Sequence, residues 1–365
     1  MKSKISLTSF KLKNFKAVQD SKIIKFTPLT AFIGNNGSGK SSIVEALETL
    51  QTLVLHGVDE AMHPWHGFEY IWNLTKDHKT KRNTITNPMT FIVNGIKENE
   101  KFKSHLEIVA TNDFSKVFFQ KYKASYASGE FLERPGFILK GEINDPKFKS
   151  FVKDWQFIRL APQSMTEPIL QKRSHGEIKL EKSGANIAEY LRSIRDQDTQ
   201  AFNGIFETLK FVLPFAIELQ PAITSELERR VFLVLSESNV IGKLPGWLLS
   251  TGTLRILAIL AVLRHPNPPE VVIIEEIENG LDPRTVHLLV EEIRHFVESG
   301  LGQIIVTTHS PYLLDLLKLS QIVVVERDNS GSPMFSRPAS QKSLKEWAQE
   351  FSPGKLYTMG KLKRS

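Results

Sequence analysis

Eight residues near the start of the chain have the types and spacing for phosphate chemistry. They are Gly34-Asn35-Asn36-Gly37-Ser38-Gly39-Lys40-Ser41, and they fit the pattern G-x-x-x-x-G-K-[ST]. Glycines let the backbone wrap closely round an anion so that several N–H groups point inward. A helix beginning at the end of the loop adds a favourable dipole for phosphate. Lys40 supplies a point charge to the β- and γ-phosphates of ATP, and the Ser41 hydroxyl is suited to Mg²⁺. Asn35, Asn36, Gly37, Ser38, Gly39, Lys40, Ser41 and Ser42 are therefore candidate nucleotide ligands. The loop alone does not separate a kinase, a GTPase, a motor and an ABC-type ATPase.

Three further places carry candidate chemistry. The apolar run Val271-Val272-Ile273-Ile274 ends in Glu275-Glu276. Carboxylates at the C-terminal end of a buried parallel strand stand where α/β folds bind ligands. Glu275 is placed to hold Mg²⁺ through a water, and Glu276 to orient or deprotonate an attacking water. Thr307-Thr308-His309-Ser310 ends the next apolar run; His309 either reaches a γ-phosphate or is structural. Leu249-Ser250-Thr251-Gly252-Thr253-Leu254-Arg255 is a small-residue turn opening an apolar helix, Leu254 to Leu263. It reads either as a second anion-binding helix start or as a helix cap.

The elements that must position these residues follow from periodicity. Val271–Ile274, Ile304–Thr307 and Ile322–Val325 suit strands buried on both faces. Between the first two, Val286, Leu289, Val290, Ile293, Phe296 and Val297 recur at helical spacing. Asp282 and Pro283 suit the cap and first turn of that helix, and Ser310 and Pro311 repeat the arrangement. The alternation of strand and helix predicts a parallel α/β sheet. Upstream, Ile5–Asn14, Ile23–Phe26 and Leu29–Ile33 read as strands, and a helix is expected from about Ser41 to Leu55. From roughly Thr84 to Leu139 an antiparallel sheet is expected, with turns at Asn94-Gly95 and Ser128-Gly129. Ala185 to Leu213 is helical in pattern, stopped by Pro214.

Bulk properties exclude several classes. The 365 residues are 41% apolar and 24% charged, which suits a folded globular protein. There is no cysteine, which removes disulfides and thiolate metal sites and fits a reducing cytoplasm. No apolar run approaches the roughly 20 residues of a membrane span, so a soluble protein with no membrane partner is expected. The net charge of +7 favours an acidic partner such as DNA. Two basic clusters, Lys76–Arg82 and Lys361–Arg364, suit either that role or a solvated surface. No long heptad pattern predicts a coiled-coil arm.

In order and spacing these elements resemble an ABC-type ATPase head, a P-loop NTPase fold, from about Ile5 to Val325. The resemblance makes Gly34–Ser41 the Walker A loop, Ser250–Arg255 the signature, Val271–Glu276 Walker B, Glu278–Pro283 the D-loop and His309 the switch histidine. Leu12-Lys13-Asn14-Phe15-Lys16, the Ser-x-Gly-x-x-Arg signature and the Glu-Glu-x-Glu-Asn-Gly-Leu-x-Pro run are similar to the RecF/SMC/OLD-like group. More narrowly they are similar to bacterial AAA-family ATPases of the AAA15/AAA21 type, as is Gly184-Ala185-Asn186-Ile187-Ala188. Glu275 departs from the aspartate usual in the wider class, and Ile277 stands where proline is common. Gln163 is one candidate for the Q-loop glutamine.

The resemblance implies an ATP-dependent homodimer in which Ser250 and Gly252 of one copy meet the nucleotide held by the other, with Arg255 and Asp282 beside it. Lys40, Glu276 and His309 become its catalytic residues, and Ser41 and Glu275 its Mg²⁺ ligands. It also implies residence in phage-defence operons beside a separate effector such as a nuclease or toxin. The alternative is a RecF-like ATPase acting directly on DNA in repair or maintenance; a scaffold that barely hydrolyses ATP is a third reading. The expected organisation is an N-terminal ATPase lobe (1–165), an inserted largely helical segment (166–240), a C-terminal lobe (241–330) and a tail (331–365).

Overall fold

The computed structural model describes residues 5–73, 80–81, 84–85, 87–133, 142–172, 176–225, 227–348 and 350–362. Most of Lys76–Arg82 and the end of Lys361–Arg364 lie outside the described residues. Chain contacts divide the molecule into two units. The first holds residues 1–155, 270–273 and 302–365; the second holds 156–269 and 274–301.

The first unit contains two large sheets and the short antiparallel pair Thr80–Lys81 and Thr84–Ile85. One large sheet is antiparallel, with strands in the order Gly129–Glu133, Val117–Tyr126, Glu100–Ala110, Met89–Lys97, Ile5–Phe15 and Val18–Asp20. Ile24–Lys25 also pairs with Ile5–Phe15. Alternate residues of Ile5–Phe15 are buried, as a strand with one face on a core requires. The turn expected at Asn94-Gly95 is not there. Both residues lie inside Met89–Lys97, and the rings of Phe102 and Phe151 fill the space beside Gly95 where a side chain would stand. The hairpin instead turns at Glu98 and Asn99, both with positive φ (52° and 68°), which matches the twist of the flanking strands. The hairpin expected at Ser128-Gly129 is present, with Gly129 paired to Tyr126.

In the other large sheet of this unit the order runs Val271–Ile274, Gln303–Thr308, Leu29–Ile33, Ile322–Arg327 and Pro333–Ser336. The three strands Gln303–Thr308, Leu29–Ile33 and Ile322–Arg327 are parallel, and Pro333–Ser336 closes the edge antiparallel. Every residue of Val271–Ile274, Leu29–Ile33 and Gln303–Thr308 is buried, which explains their unbroken apolar character. Gln303, at the start of its strand, ties the two large sheets. Its side chain accepts from the Leu7 N–H at 2.8 Å and donates to the carbonyls of Leu7 and Thr27 at 2.9 and 3.0 Å.

The second unit carries the helices Ile187–Gln197, Thr199–Lys210, Thr251–Leu263 and Pro283–Glu298. The segment 166–240, expected to be largely helical, has its two helices and in addition antiparallel strands. Ile169–Leu170 and Ala216–Ile223 flank Arg230–Glu237, which also pairs with Leu244–Pro245. The strand Ala216–Ile223 contains Pro221 and alternates only loosely, so its periodicity is weak. The longest described helix, Lys40–His56, has 17 residues, so no described helix forms a long coiled-coil arm. No helix among the described residues is long and apolar enough to cross a membrane.

Candidate functional site

In the first unit the glycine loop leaves the C-terminal end of Leu29–Ile33 and opens the helix Lys40–His56. Close packing enforces its glycines. A side chain on Gly34 would collide with the Val325 carbonyl, and one on Gly39 would meet the Pro333 ring at 2.5 Å. Gly39 also has φ +112°, outside the range L-residues adopt readily. Lys40 is buried, its ammonium curled into the loop to donate to the carbonyls of Gly34 (2.6 Å) and Asn35 (3.0 Å).

No side chain caps the helix Lys40–His56 at Gly39, and its first turn has no acidic residue. Other helices are capped by Asp145, Asp198, Ser250, Asp282 and Ser310. Its first amides and positive dipole end are therefore open to an anion. The buried Ser38 Oγ has no hydrogen-bond partner among the described residues. Ser41 is exposed at the first turn, with Ser42 half-buried beside it. These features fit the phosphates of a nucleotide: glycine contours, a lysine ammonium, a helix start without a side-chain cap and the Ser38 hydroxyl. Among the described residues no three His, Asp or Glu side chains cluster into a self-contained metal site. Mg²⁺ held chiefly by phosphate oxygens, water and one or two protein oxygens needs no such cluster.

His309 follows Gln303–Thr308, whose parallel register sets Thr308 opposite Ile33. His309 and Gly34 thus begin from the same end of two adjacent strands. Two side chains that the sequence does not single out also touch the loop. Arg327 Nε donates to the Gly37 carbonyl at 2.8 Å, and the Tyr357 hydroxyl to Asn35 Oδ1 at 3.2 Å. Lys16, in the opening motif, pairs with Glu45 at 2.7 Å on the helix after the loop and lies over the Trp65 ring.

In the second unit, Glu275 and Glu276 follow Val271–Ile274 directly and point to different fates. Glu275 is buried, and its N–H donates to the Ile158 carbonyl at 2.9 Å. Glu276 is exposed and held at φ +47°. A non-glycine residue in that region is worth a functional question. The Asn279 N–H closes a turn onto the Glu276 carbonyl at 3.0 Å, and the Asn279 amide reaches the Glu276 carboxylate at 3.3 Å. The left-handed turn reverses the chain at once, so the next carboxylate after the buried one faces outward.

The Ser250 segment opens the helix Thr251–Leu263 as a true cap. Ser250 Oγ accepts from the Thr253 N–H at 3.0 Å and lies 2.8 Å from the Thr253 hydroxyl. Asp282 likewise caps Pro283–Glu298, accepting from the N–H groups of Arg284 and Thr285 and from the Thr285 hydroxyl. The cap geometry of both is thus realised in the single chain. Gly252 packs against Gly280, whose carbonyl would stand 2.8 Å from a side chain there. Arg255 lies beside Gly280 and donates to the Leu160 carbonyl at 3.0 Å. Burial lowers the pKa of its guanidinium, while the charge of Glu276 opposes that shift.

The segment 158–161 is a junction in this unit. The Glu275 N–H binds its first carbonyl and Arg255 its third, while the N–H groups of Arg159 and Ala161 bind the carbonyls of Lys182 and Ser183. Asn186, fully buried, holds that second loop by accepting from the Glu181 N–H (2.7 Å) and donating to the Lys179 carbonyl (2.9 Å). This accounts for an asparagine in Gly184–Ala188. Gln163 is exposed on the short helix Pro162–Met165.

Comparison with known proteins agrees with this architecture. Residues 77–315, well over half of the chain, match the family model described as "AAA domain, putative AbiEii toxin, Type IV TA system". Residues 6–127 match a second, described as "AAA ATPase domain". No curated protein sequence matches the chain. Among solved structures it is similar to an SMC head bound to the C-winged helix domain of ScpA, with TM-score 0.58 and 15% identity over 90% of this chain and 96% of that one. It is also similar to an Smc head with an extended coiled coil bound to the C-terminal domain of ScpA from Pyrococcus furiosus, with TM-score 0.55 and 14% identity over 94% of this chain and 99% of that one. At such identities the likeness is one of fold, that of an SMC-type ATPase head. With its phosphate loop, buried parallel strands and matching family model, the chain belongs to the AAA-domain family of AAA15/AAA21-type ATPases.

Proposed function

We propose that this protein binds ATP with Mg²⁺ at Gly34–Ser42, hydrolyses it in an ATP-dependent homodimer, and uses the cycle to control a separate effector protein in anti-phage defence. The observation that carries the nucleotide reading is the start of the helix Lys40–His56. It is uncapped, free of acidic residues in its first turn, and fronted by a loop curled round the Lys40 ammonium.

In this reading Lys40 and the loop amides hold the β- and γ-phosphates, while Ser41 and Glu275 are the protein ligands of Mg²⁺. The metal supplies charge neutralisation to the phosphates when bound. Glu276, exposed and turned outward by its left-handed backbone, orients the attacking water and accepts its proton. His309 serves the γ-phosphate. Catalysis of this kind is positioning and charge stabilisation rather than covalent chemistry. Ser250, Gly252, Arg255 and Asp282 form the surface that one copy offers to the nucleotide of the other, in an isologous pair with two equivalent sites. Support for Ser250 and Asp282 comes from their exposure at the capped starts of their helices.

Control of an effector draws on the family's description, which names a putative toxin and a Type IV TA system. The test is Ser250→Arg, which places a bulky charge on the surface offered to the second copy. Expected are ATP binding by single subunits, no ATP-induced dimer by native mass measurement, and turnover at background. Wild-type turnover in that variant overturns the shared site. For the effector, the native complex is purified with its neighbours; no co-purifying toxin or nuclease, together with tight salt-sensitive DNA binding by the chain alone, overturns that part.

A further inference from the structure

An open cleft of about 570 Å³ lies beside the phosphate loop, bounded by Gly34–Ser38, by Val325–Arg327 and by Tyr357, Thr358 and Gly360 of the C-terminal region. The last three belong to the helix Pro353–Thr358 and its exit. That helix is fastened by more than surface contact. Leu356 and Leu362 are 0% and 1% exposed. Gly360, at φ +69°, ends the helix, and the Lys361 N–H closes back on the Leu356 carbonyl at 2.8 Å. At its other end Gly354 sits against Pro311–Asp315, the helix that begins two residues after His309. The Gly354 N–H donates to Asp315 Oδ1 at 2.6 Å, and any side chain on Gly354 would collide with the Pro311 carbonyl.

Between these two anchors the helix presents Tyr357 to the loop, where its hydroxyl donates to Asn35 Oδ1. Burial and the nearby Glu326 charge raise the pKa of this phenol further above the neutral range in which it already donates. Asn35 is the loop residue whose carbonyl also receives the Lys40 ammonium. One residue of the loop is thus gripped on its backbone by Lys40 and on its side chain by the C-terminal helix.

We propose that Tyr357 is a positioning residue for nucleotide binding: through Asn35 it braces the phosphate loop, and its helix, seated on Pro311–Asp315, links that loop to the segment carrying His309. This rests on the reading of Gly34–Ser42 as an ATP site. Preorganising a loop raises affinity by removing the cost of ordering it on binding. Losing the brace therefore weakens binding without touching the chemical step.

The test uses the full-length chain, with ATP and Mg²⁺ as probe, in a double-mutant cycle of Tyr357→Phe and Asn35→Ala. One hydrogen bond of this kind is worth about a three- to tenfold change in affinity. Tyr357→Phe is expected to raise Kd and KM for ATP by that factor and leave kcat within about twofold. In the Asn35→Ala background the same change is expected to do nothing further, because the bond is already gone. Gly354→Val, which unseats the helix, is expected to reproduce the rise in KM. Wild-type affinity in Tyr357→Phe, or effects of the two substitutions that multiply, overturns the brace. Lys40→Ala separates the two readings. If wild type binds ATP, Lys40→Ala does not and Tyr357→Phe binds normally, only the brace falls; if wild type binds no ATP, both readings fall.

Discussion

The carbonyl of Gly280 stands 2.8 Å from the point a Cβ on Gly252 would occupy, so the turn after Glu276 and the helix start at Ser250 pack backbone to backbone. Arg255, four residues after Thr251 and one helical turn away, lies against the same glycine. The two segments are thereby one surface within a single unit. Gly252 is required for this close approach, whereas Gly280, whose nearest neighbour would stand 3.7 Å from a Cβ, is required by its φ of +72°.

Gly252→Ala must push these backbones apart. Overpacking of this kind costs about 1–3 kcal/mol. Urea unfolding should show that loss, and ATP turnover should fall with it while ATP affinity in the isolated subunit is kept. Undiminished stability in Gly252→Ala would mean that the contact relaxes freely.

Glu276 combines a proposed catalytic carboxylate with a costly backbone. Glu276→Gln should lower turnover by about 100-fold or more while keeping ATP binding, as loss of a general base does. Glu276→Gly should be equally slow, yet as stable as wild type or more stable by up to about 1 kcal/mol, since glycine accepts φ +47°. Calorimetry beside a phosphate-release assay reads both. Full turnover in either variant removes Glu276 from the mechanism.

Asp282 gives a pH dependence with a defined sign. The Thr285 hydroxyl, aided by the N–H groups of Thr285 and Arg284, lowers its carboxyl pKa below the ordinary 3.8, against a smaller opposing effect of burial. A lowered folded-state pKa means that the ionised cap stabilises the fold fully above pH 3.8 and loses that contribution as pH falls through the folded value. Asp282→Ala should therefore cost about 1 kcal/mol near neutral pH. The gap from wild type should hold constant down to about pH 5 and shrink below pH 3.8. Denaturant unfolding at a series of pH values checks it, and a gap that widens on acidification contradicts the assignment.

Gln303 satisfies three main-chain groups from a buried position. Gln303→Leu keeps the volume but removes the partner of the Leu7 N–H and a donor to the Leu7 carbonyl, while the Thr27 carbonyl keeps the Thr30 hydroxyl at 3.3 Å. Unsatisfied buried groups cost about 1–3 kcal/mol each before relaxation, so a total of at least about 2 kcal/mol is expected in urea unfolding. A near-neutral result would show that the two large sheets of this unit do not depend on the amide.

Much of this protein is legible in its sequence. The glycine loop, the strand ending in Glu275-Glu276, the caps at Ser250, Asp282 and Ser310, and the parallel strands all follow from local rules. Glycine and proline restrict φ, cap residues bond amides two or three positions ahead, and fully buried strands read as unbroken apolar runs. The stretch 216–237 was not legible, because its strands neither alternate cleanly nor carry turn pairs of the expected kind. Asn94-Gly95 has the composition of a turn, yet the Phe102 and Phe151 rings claim the space beside Gly95 and make it strand. Contacts distant in sequence were out of reach altogether. Tyr357 and Asn35 lie 322 positions apart, Gln303 and Leu7 lie 296, and no local pattern encodes a partner at that range. The sequence by itself determined which residues have the types and spacing that suit phosphate chemistry and which strand ends they leave from, because those properties live in short segments. Only the tertiary structure decided what holds them in place: which carbonyl faces Gly252, which side chain grips Asn35, and which of two adjacent glutamates turns outward.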